Sequence, residues 1–153
     1  MVIKLDLANA LDRVNHSFLL KVMSKFGFGA NFIKWIRACI SEPWISPLVN
    51  GRATDFFKSS RGLRQGCPLS PLLFVIQASV LSFPLDKMMQ DQDINGLCIA
   101  RGVKNINHDL FADDTLLLGT ASLSSASKFK TVLDEFSEAS GSVVNKSKCH
   151  IFS

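Results

Sequence analysis

The sequence predicts an α+β domain in which helices pack on one face of a small antiparallel sheet. Three observations indicate this fold class. Helical and extended segments follow one another without the regular βαβ alternation of a parallel sheet. Asn50-Gly51 is a strong two-residue hairpin signal, and Asp113-Asp114 lies between two apolar runs at the tip of a second hairpin. With 153 residues, 47% of them hydrophobic, the chain is long enough to bury a core as one domain.

The first half of the chain is predicted to start with a strand and two amphipathic helices. Asn15 or Ser17 is a suitable N-cap for the first helix, and Pro43 follows the end of the second helix. Two apolar segments on either side of Asn50-Gly51 form the first hairpin. In chain order, we expect a strand at 2–7, helices at about 15–25 and 30–40, and hairpin strands at 44–49 and 53–57.

The second half is predicted to alternate long helices with strands. Pro71 suits the first turn of a long apolar helix, whereas Pro84 lies inside that helix and should kink or end it. Gly141 is positioned to stop the last helix. In chain order, we expect a helix at about 71–89, extended segments at 97–100, 106–111 and 115–118, a helix at 122–139 and an extended segment at 143–152.

The composition indicates which kinds of partner and which cellular compartment the protein is suited to. A net charge of +4 and a pI near 9.0 permit a polyanionic partner. No apolar run reaches the roughly 18 residues of a membrane span, and Lys4 and Asp6 interrupt any signal-peptide core, so we expect no membrane association. The cysteines form no C-x-x-C pair, which favours a reduced intracellular protein, nuclear or cytoplasmic rather than secreted, without a zinc site. The four cysteines are Cys39, Cys67, Cys98 and Cys149.

Three aspartates suggest the chemistry. Asp6 ends the first predicted strand, and Asp113 and Asp114 lie at the hairpin tip. A solvated turn would explain an isolated Asp-Asp pair, but three negative charges converge if the first strand pairs beside the hairpin, and they then need cations. Two divalent cations about 3.5–4 Å apart would offset the repulsion and support in-line displacement at phosphorus. Asp109 shares a predicted face with Asp113 and is either a further carboxylate of the site or an ordinary edge residue.

Two loop segments supply further groups that can bind a ligand. In the loop 61–70, glycines allow close backbone approach, arginines can meet phosphates, and a glutamine amide can bond a base or sugar; these residues are Gly62, Gly66, Arg61, Arg64 and Gln65. Alternatively, this loop only caps the next helix and its arginines keep it soluble. The basic segment 141–148 follows a helix stop, and a lysine there either neutralises a leaving phosphate or lies on the surface.

Four segments, in this order, resemble the polymerase motifs of the reverse transcriptase domain of non-LTR (LINE-type) retrotransposons. The resemblance runs along the whole chain, and the second segment, RGLRQGCPLSPLLF, is a very specific string. The segments are Lys4–Val14 around Asp6, Arg61–Phe74, Phe111–Asp114 and Ser140–Lys148. Residues 1–153 are therefore similar to the palm of such a domain.

This resemblance implies an RRM-like (ferredoxin-like) palm that performs RNA-directed DNA synthesis with an RNA template, a DNA primer and dNTPs. It implies two Mg²⁺ ions, with Mn²⁺ as a substitute, bound by Asp6 and Asp113 with help from Asp114 and the backbone carbonyl of Leu7. The residues implied in nucleotide binding are Ala8, Asn9, Ala10, Leu11, Gln65, Gly66 and Lys148, of which Lys148 faces the leaving group. Arg61 and Arg64 complete the set as nucleic-acid contacts.

The chain also departs from the family pattern. Leu11 occupies the position where the family usually has Phe or Tyr, whose ring blocks a ribose 2′-hydroxyl, and Pro84 lies in a helix that usually continues. We expect a partial palm, without the first part of the fingers, the primer grip and the thumb, that is weakly active or inactive unless missing parts act in trans. Two alternatives are a non-catalytic nucleic-acid-binding module and an inactive retroelement remnant.

Overall fold

The computed structural model describes residues 1–152 and has the predicted α+β architecture. Its strands in chain order are β1 (Val2–Asp6), β2 (Trp44–Ile45), β3 (Leu48–Val49), β4 (Arg52–Ala53), β5 (Phe57–Lys58), β6 (His108–Phe111), β7 (Asp114–Leu118) and β8 (His150–Phe152). Four of them form an antiparallel sheet in the order β6-β7-β1-β8. The first strand of the chain therefore lies inside the sheet, next to the hairpin β6-β7.

Alternation along β1 and β7 separates a core face of the sheet from an open face. The two strands pair so that Ile3 lies opposite Leu117 and Asp6 lies opposite Asp114. Ile3 and Leu117 are buried, whereas Lys4, Asp6 and Asp114 are partly exposed, as the two-residue period of a strand requires. The apolar residues hold this register, because a slip by one residue would turn them to solvent.

Five α-helices accompany the sheet, and local sequence signals set several of their ends. They are α1 (His16–Lys25), α2 (Ala30–Ser41), α3 (Ser70–Ala78), α4 (Ser82–Gln90) and α5 (Leu123–Ser140). The side chain of Asn15 accepts a hydrogen bond from the N–H of Phe18 at 3.1 Å, and Ser122 Oγ accepts one from Ser125 at 3.1 Å. Such caps stabilise a helix by about 1 kcal/mol. Gly141 ends α5 with φ 80°, which confirms the predicted stop.

Two hydrophobic cores hold the elements together. The first lies between the core face of the sheet and helices α4 and α5, and contains the buried Leu85 and Phe129. The second lies among α1, α2 and α3, and includes Leu19 and Met23 together with Leu63 from the loop before α3. The helices therefore pack on one face of the sheet, as predicted, and the second core joins that loop to the end of β1.

The long helix predicted at 71–89 is interrupted, but not at Pro84. A 3₁₀ turn, Ser79–Leu81, joins α3 to α4. Pro84 has no N–H to donate to the carbonyl of Val80, and its ring crowds that carbonyl, so the α-helical hydrogen bonding opens one turn before the proline. On length and composition alone (mean hydropathy 1.4), the stretch Ser70–Gln90 is apolar enough to cross a membrane, and one-third of it is buried. The absence of membrane association stays a prediction.

Several of the predicted extended segments are shorter than expected, and the segment 53–57 is divided between β4 and β5. Pro47 divides the segment 44–49, since β2 pairs with β5 whereas β3 pairs with β4 around Asn50-Gly51. The segment 97–100 contributes a single bridge, between Leu97 and Ile106, before the chain turns. The segment 143–152 is interrupted by a turn at 145–148, in which the N–H of Lys148 donates to the carbonyl of Asn145 at 3.1 Å.

Candidate active site

The three aspartates singled out in the sequence lie at one end of the sheet. Asp6, the last residue of β1, is opposite Asp114, the first residue of β7. The N–H of Leu7 donates to the carbonyl oxygen of Asp113 at 3.2 Å. Asp6 and Asp114 are therefore a non-hydrogen-bonded pair, with Cα atoms about 4.5 Å apart. Asp113 is exposed in the two-residue turn between β6 and β7. The strand pairing that a shared site requires is present.

Lysine side chains offset part of this negative charge. Lys148 Nζ is 3.6 Å from a carboxylate oxygen of Asp6, whose side chain is 16% exposed. Lys4 Nζ is 3.1 Å from a carboxylate oxygen of Asp114. Lys4 and Asp114 are diagonal neighbours on the open face of the sheet. Two positive charges therefore accompany the three carboxylates and lower their mutual repulsion.

The oxygen atoms at this end of the sheet suit a hard divalent cation. The carboxylates of Asp6 and Asp114 lie on paired strands. A further oxygen atom is the carbonyl oxygen of Leu7, which accepts no hydrogen bond from another described residue. Carboxylate and carbonyl oxygens are the ligands that Mg²⁺ and Ca²⁺ take. Within residues 1–152, however, no three His, Cys, Asp or Glu side chains are grouped closely enough to hold a metal ion. Asp6 and Asp114 are instead paired with lysines, with which a cation would have to compete.

The chain after β1 forms a compact turn beside the aspartates. The N–H of Ala8 donates to the carbonyl of Val143 at 2.8 Å, and the carbonyl of Asn9 accepts from the N–H of Asp12 at 3.0 Å. Asn9 has φ 49°, a left-handed conformation that asparagine tolerates better than most other non-glycine residues. The N–H groups of residues 9–11 donate to no acceptor in the part of the chain that the structure describes. Such successive free donors can bind phosphate oxygens.

The loop between β5 and α3 is docked on this turn. The N–H of Leu63 donates to the carbonyl of Leu11 at 2.8 Å, and Gln65 Nε2 donates to a carboxylate oxygen of Asp12 at 3.2 Å. Gly62, with φ 85°, comes so near that a Cβ at this position would lie 2.6 Å from the carbonyl oxygen of Asp12. Only glycine fits both the conformation and the space. The structure thereby brings Leu11 and Gln65, both predicted to bind nucleotide, to adjacent segments.

A cavity of about 1400 Å³ opens between this loop and the short strands β2 to β4. Four of the predicted site residues line it, namely Arg61, Arg64, Gln65 and Gly66. Both arginines are exposed, and neither forms an ion pair within residues 1–152. The remaining residues predicted to bind nucleotide lie outside its lining: Ala8, Asn9, Ala10, Leu11 and Lys148. The predicted site is therefore divided between the end of β1 and this cavity, which meet at Asp12.

The segment after α5 is held against the end of β1. An added Cβ at Gly141 would lie 2.8 Å from the carbonyl oxygen of Arg13, so the helix stop packs directly on the turn. The N–H of Asn145 donates to the carbonyl of Asp6 at 2.8 Å. These contacts place Lys148 beside the Asp6 carboxylate.

Two residues to which the sequence assigned no role join the motifs. His16 is buried, with Nε2 2.6 Å from the carbonyl oxygen of Gly62 and Nδ1 3.1 Å from Ser41 Oγ. Asp12 accepts from the amide of Gln65. Asp12 and His16 follow Asp6 closely in the sequence. Their partners Gly62 and Gln65 lie 46 residues after His16 and 53 residues after Asp12, so no sequence spacing could have shown these contacts.

One expectation about the hairpin is wrong. Asp109, Phe111 and Asp113 were expected to share one face of a strand. The strand ends at Phe111, and a two-residue turn follows, so Phe111 lies opposite Asp114 and Asp109 lies opposite Leu116. The turn breaks the two-residue period, and Asp109 and Phe111 therefore share the open face with Asp114 instead of Asp113.

Comparison with known proteins agrees with this arrangement. A family model described as reverse transcriptase (RNA-dependent DNA polymerase) matches residues 1–153. The chain belongs to the reverse transcriptase family. Members of this family generally use divalent metal ions.

The relatives of this reverse transcriptase domain confirm the non-LTR class. It is 30% identical over 148 residues to the retrovirus-related Pol polyprotein from type-1 retrotransposable element R2 of Popillia japonica. It is 25% identical over 146 residues to the Transposon TX1 uncharacterized 149 kDa protein of Xenopus laevis. These matches cover 97% and 95% of the domain, but 23% and 11% of the two relatives. An uncharacterized mitochondrial protein of Arabidopsis thaliana is 41% identical over 68 residues, which is 44% of this chain and 56% of that protein.

Solved structures confirm the fold of the reverse transcriptase domain. Telomerase from Candida albicans, in complex with a fragment of telomeric RNA, superposes with a TM-score of 0.73 at 16% identity. That match covers 99% of this chain and 27% of the telomerase chain. Apo telomerase from Candida tropicalis gives a TM-score of 0.72 at 16% identity, over 97% of this chain and 28% of that one. The sheet and its helices are therefore the palm architecture that the sequence predicted.

Proposed function

We propose that residues 1–153 act as the catalytic palm of a retroelement RNA-directed DNA polymerase, which adds deoxynucleotides to a primer 3′-hydroxyl on an RNA template. The observation that carries this proposal is the pairing of Asp6 with Asp114, because it sets two carboxylates, with Asp113 next to them in the hairpin turn, beside a turn with free N–H groups. A phosphoryl-transfer site needs little more from the protein than charge and position. The compartment that fits this role is intracellular.

Two Mg²⁺ ions, or Mn²⁺ in their place, fit the donor atoms at this site. Asp6 and Asp113 would hold them, with help from Asp114 and the carbonyl of Leu7, whose oxygen is free. Bound ions of this kind activate the attacking hydroxyl and offset the charge on the leaving pyrophosphate. Lys148 now pairs with Asp6. If Asp6 bound a metal ion instead, Lys148 would be free to pair with the pyrophosphate.

The turn and the loop would bind the incoming nucleotide and the template. Within the segment Ala8 to Leu11, the N–H groups of residues 9–11 are free donors for the triphosphate, while Gln65 and Gly66 line the cavity where a base would lie. Arg61 and Arg64 supply positive charge for phosphates of the nucleic acid. Since Leu11 replaces an aromatic ring, we expect weak exclusion of ribonucleotides.

Calorimetry with Mg²⁺ or Mn²⁺ tests the metal site of the purified chain. We expect binding that Asp6→Asn and Asp113→Asn each abolish. Asp109→Asn is the matched control, because Asp109 is an exposed carboxylate on the same hairpin, and it should bind as the unmodified chain does. Absence of binding in a chain that melts cooperatively would contradict the proposal.

Primer extension on an RNA template tests the reaction itself. We expect a weak signal from the isolated chain, since positioning surfaces contribute much of the rate in such reactions, and a stronger one if other polymerase segments act in trans. The signal should vanish in Asp113→Asn and persist in Asp109→Asn. Extension that survives Asp113→Asn would contradict the role proposed for Asp113.

A non-catalytic nucleic-acid-binding module is the second candidate. The observation in its favour is that Asp6 and Asp114 are each paired with a lysine, without a formed metal cluster in residues 1–152. It predicts salt-dependent binding of primer-template that survives loss of Asp6 and Asp113. Metal-dependent extension would decide against it.

A further inference from the structure

The cavity beside the 61–70 loop is positively charged where it meets that loop. Arg61 and Arg64 line it, and Asp12 is the only acidic residue among those described in its lining. The Asp12 carboxylate accepts a hydrogen bond from the amide of Gln65 at 3.2 Å and keeps its charge, so the described lining carries two positive charges against one negative charge. The cavity therefore suits a polyanion.

Two large aromatic side chains are exposed in the lining of this cavity. Trp44 is 65% exposed and Phe56 is 67% exposed, and both line it. Trp44 lies opposite Lys58 in the β2–β5 pair, and Lys58 Nζ is 4.9 Å from the centre of the indole ring. This cation–π contact orients the ring, and more than half of the side chain is left accessible for contact with a ligand.

We propose that Trp44 and Phe56 form a stacking platform for unpaired bases of the RNA template, with Arg61 and Arg64 contacting its phosphates. This inference rests on the proposed function, since it identifies the surface on which the RNA template of the proposed polymerase would lie. Aromatic platforms combined with a basic groove are how proteins bind single strands, because every base has a π-face to stack. Gln65 and Gly66 line the same cavity, so a base leaving the platform would reach the nucleotide-binding groups.

Single-stranded nucleic acid fits this surface better than a duplex does. In an A-form duplex the bases are stacked on one another, and side chains reach only groove edges and phosphates. Unpaired bases leave their faces free for Trp44 and Phe56. Single-stranded RNA should therefore compete for the platform, whereas RNA duplex of the same sequence or polyglutamate should compete poorly.

Tryptophan fluorescence of the full 153-residue chain tests the platform without catalysis. The chain has two tryptophans. Trp35 on α2 is 67% exposed, slightly more than Trp44 at 65%, but does not line the cavity, so it is a matched control. In EDTA, single-stranded RNA should quench Trp35→Phe, where Trp44 is the remaining fluorophore, and leave Trp44→Phe unquenched. Trp44→Leu should weaken RNA binding roughly tenfold, within the range for one lost base stack, whereas Trp35→Leu should not.

Three outcomes would overturn the platform. They are an unchanged Trp44 signal at saturating RNA, equal binding of an abasic oligonucleotide, and displacement by polyglutamate as effective as by RNA. Trp44→Leu must melt like the unmodified chain, as its exposure predicts. Failure of the proposed function is separable, because Asp113→Asn should abolish extension and leave the quenching intact. Primer extension without fluorescence quenching would refute only the stacking platform. Quenching without extension would refute only the proposed polymerase activity.

Discussion

Lys4 lies on the open face of the sheet with its Nζ 3.1 Å from the Asp114 carboxylate. Both side chains are partly exposed, so the pair stabilises the fold by at most about 1 kcal/mol. The position of the ion pair matters more than its stability. Lys4 binds the Asp114 carboxylate, which is one of three that would otherwise be available to a divalent cation.

Lys4→Met should therefore strengthen Mn²⁺ binding and change stability little. At about 4 Å in a water-like medium, a lysine and a divalent cation repel by roughly 2 kcal/mol, so removing the lysine corresponds to about thirtyfold in affinity. Calorimetry on the variant measures this directly. Lys130→Met, which breaks the surface pair with Asp134 on α5, should leave the affinity unchanged. Equal or weaker binding by Lys4→Met would show that Lys4 does not compete with the metal.

Gly62→Ala should destabilise the fold strongly. The new Cβ would meet the backbone carbonyl of Asp12 at 2.6 Å, and φ is 85°, so strain and overlap together cost roughly 2–5 kcal/mol. Gly66 is the control within the same loop, since it has φ 81° but no atom within 4 Å of an added Cβ. Gly66→Ala should cost only the conformational strain, roughly 1–2 kcal/mol. Urea denaturation compares the two, and equal losses would refute the close approach to Asp12.

His108 should make stability depend on pH. Burial lowers its pKa below the usual 6.5, although Asp86 and Asp109 act in the opposite direction, and Lys104 lowers it further. The unfolded chain therefore binds the proton more readily, so the unfolding free energy should be complete above about pH 6.5 and fall as the pH is lowered through that value. His108→Gln should flatten this dependence in melts at several pH values. His150→Gln, at an exposed position of β8, should leave it as it is.

The elements with strong local signals could be predicted from the sequence. The helix that Asn15 caps and the one that ends at Gly141 needed only neighbouring residues. The Asp6 and Asp113-Asp114 positions were found because charged residues interrupt or end apolar runs. The antiparallel pairing of these segments followed from the demand for a shared site, and it is the pairing observed.

What the sequence could not predict depends on register and on distant contacts. The Lys4–Asp114 pair exists because β1 and β7 align with one particular offset. The contact of His16 with Gly62 joins segments 46 residues apart. The interruption of the long helix was expected at Pro84 and occurs one turn earlier, because the missing donor affects the carbonyl four residues before it. The strand offset and the His16 contact depend on geometry that no local pattern encodes, whereas the place of the helix interruption follows from the proline four residues later.

Ala112 should be sensitive to side-chain branching, because it has φ 53° in the turn that presents Asp113. A β-branched residue is strongly disfavoured in this left-handed conformation, so Ala112→Val should destabilise the hairpin by roughly 1–2 kcal/mol and weaken Mn²⁺ binding by displacing Asp113. Ala112→Gly should relieve strain and keep the affinity. Ala121→Val, at an exposed loop position, controls for added bulk. Paired melts and calorimetry decide, and a Val variant that binds Mn²⁺ like the unmodified chain would show that the turn does not position Asp113 for the metal.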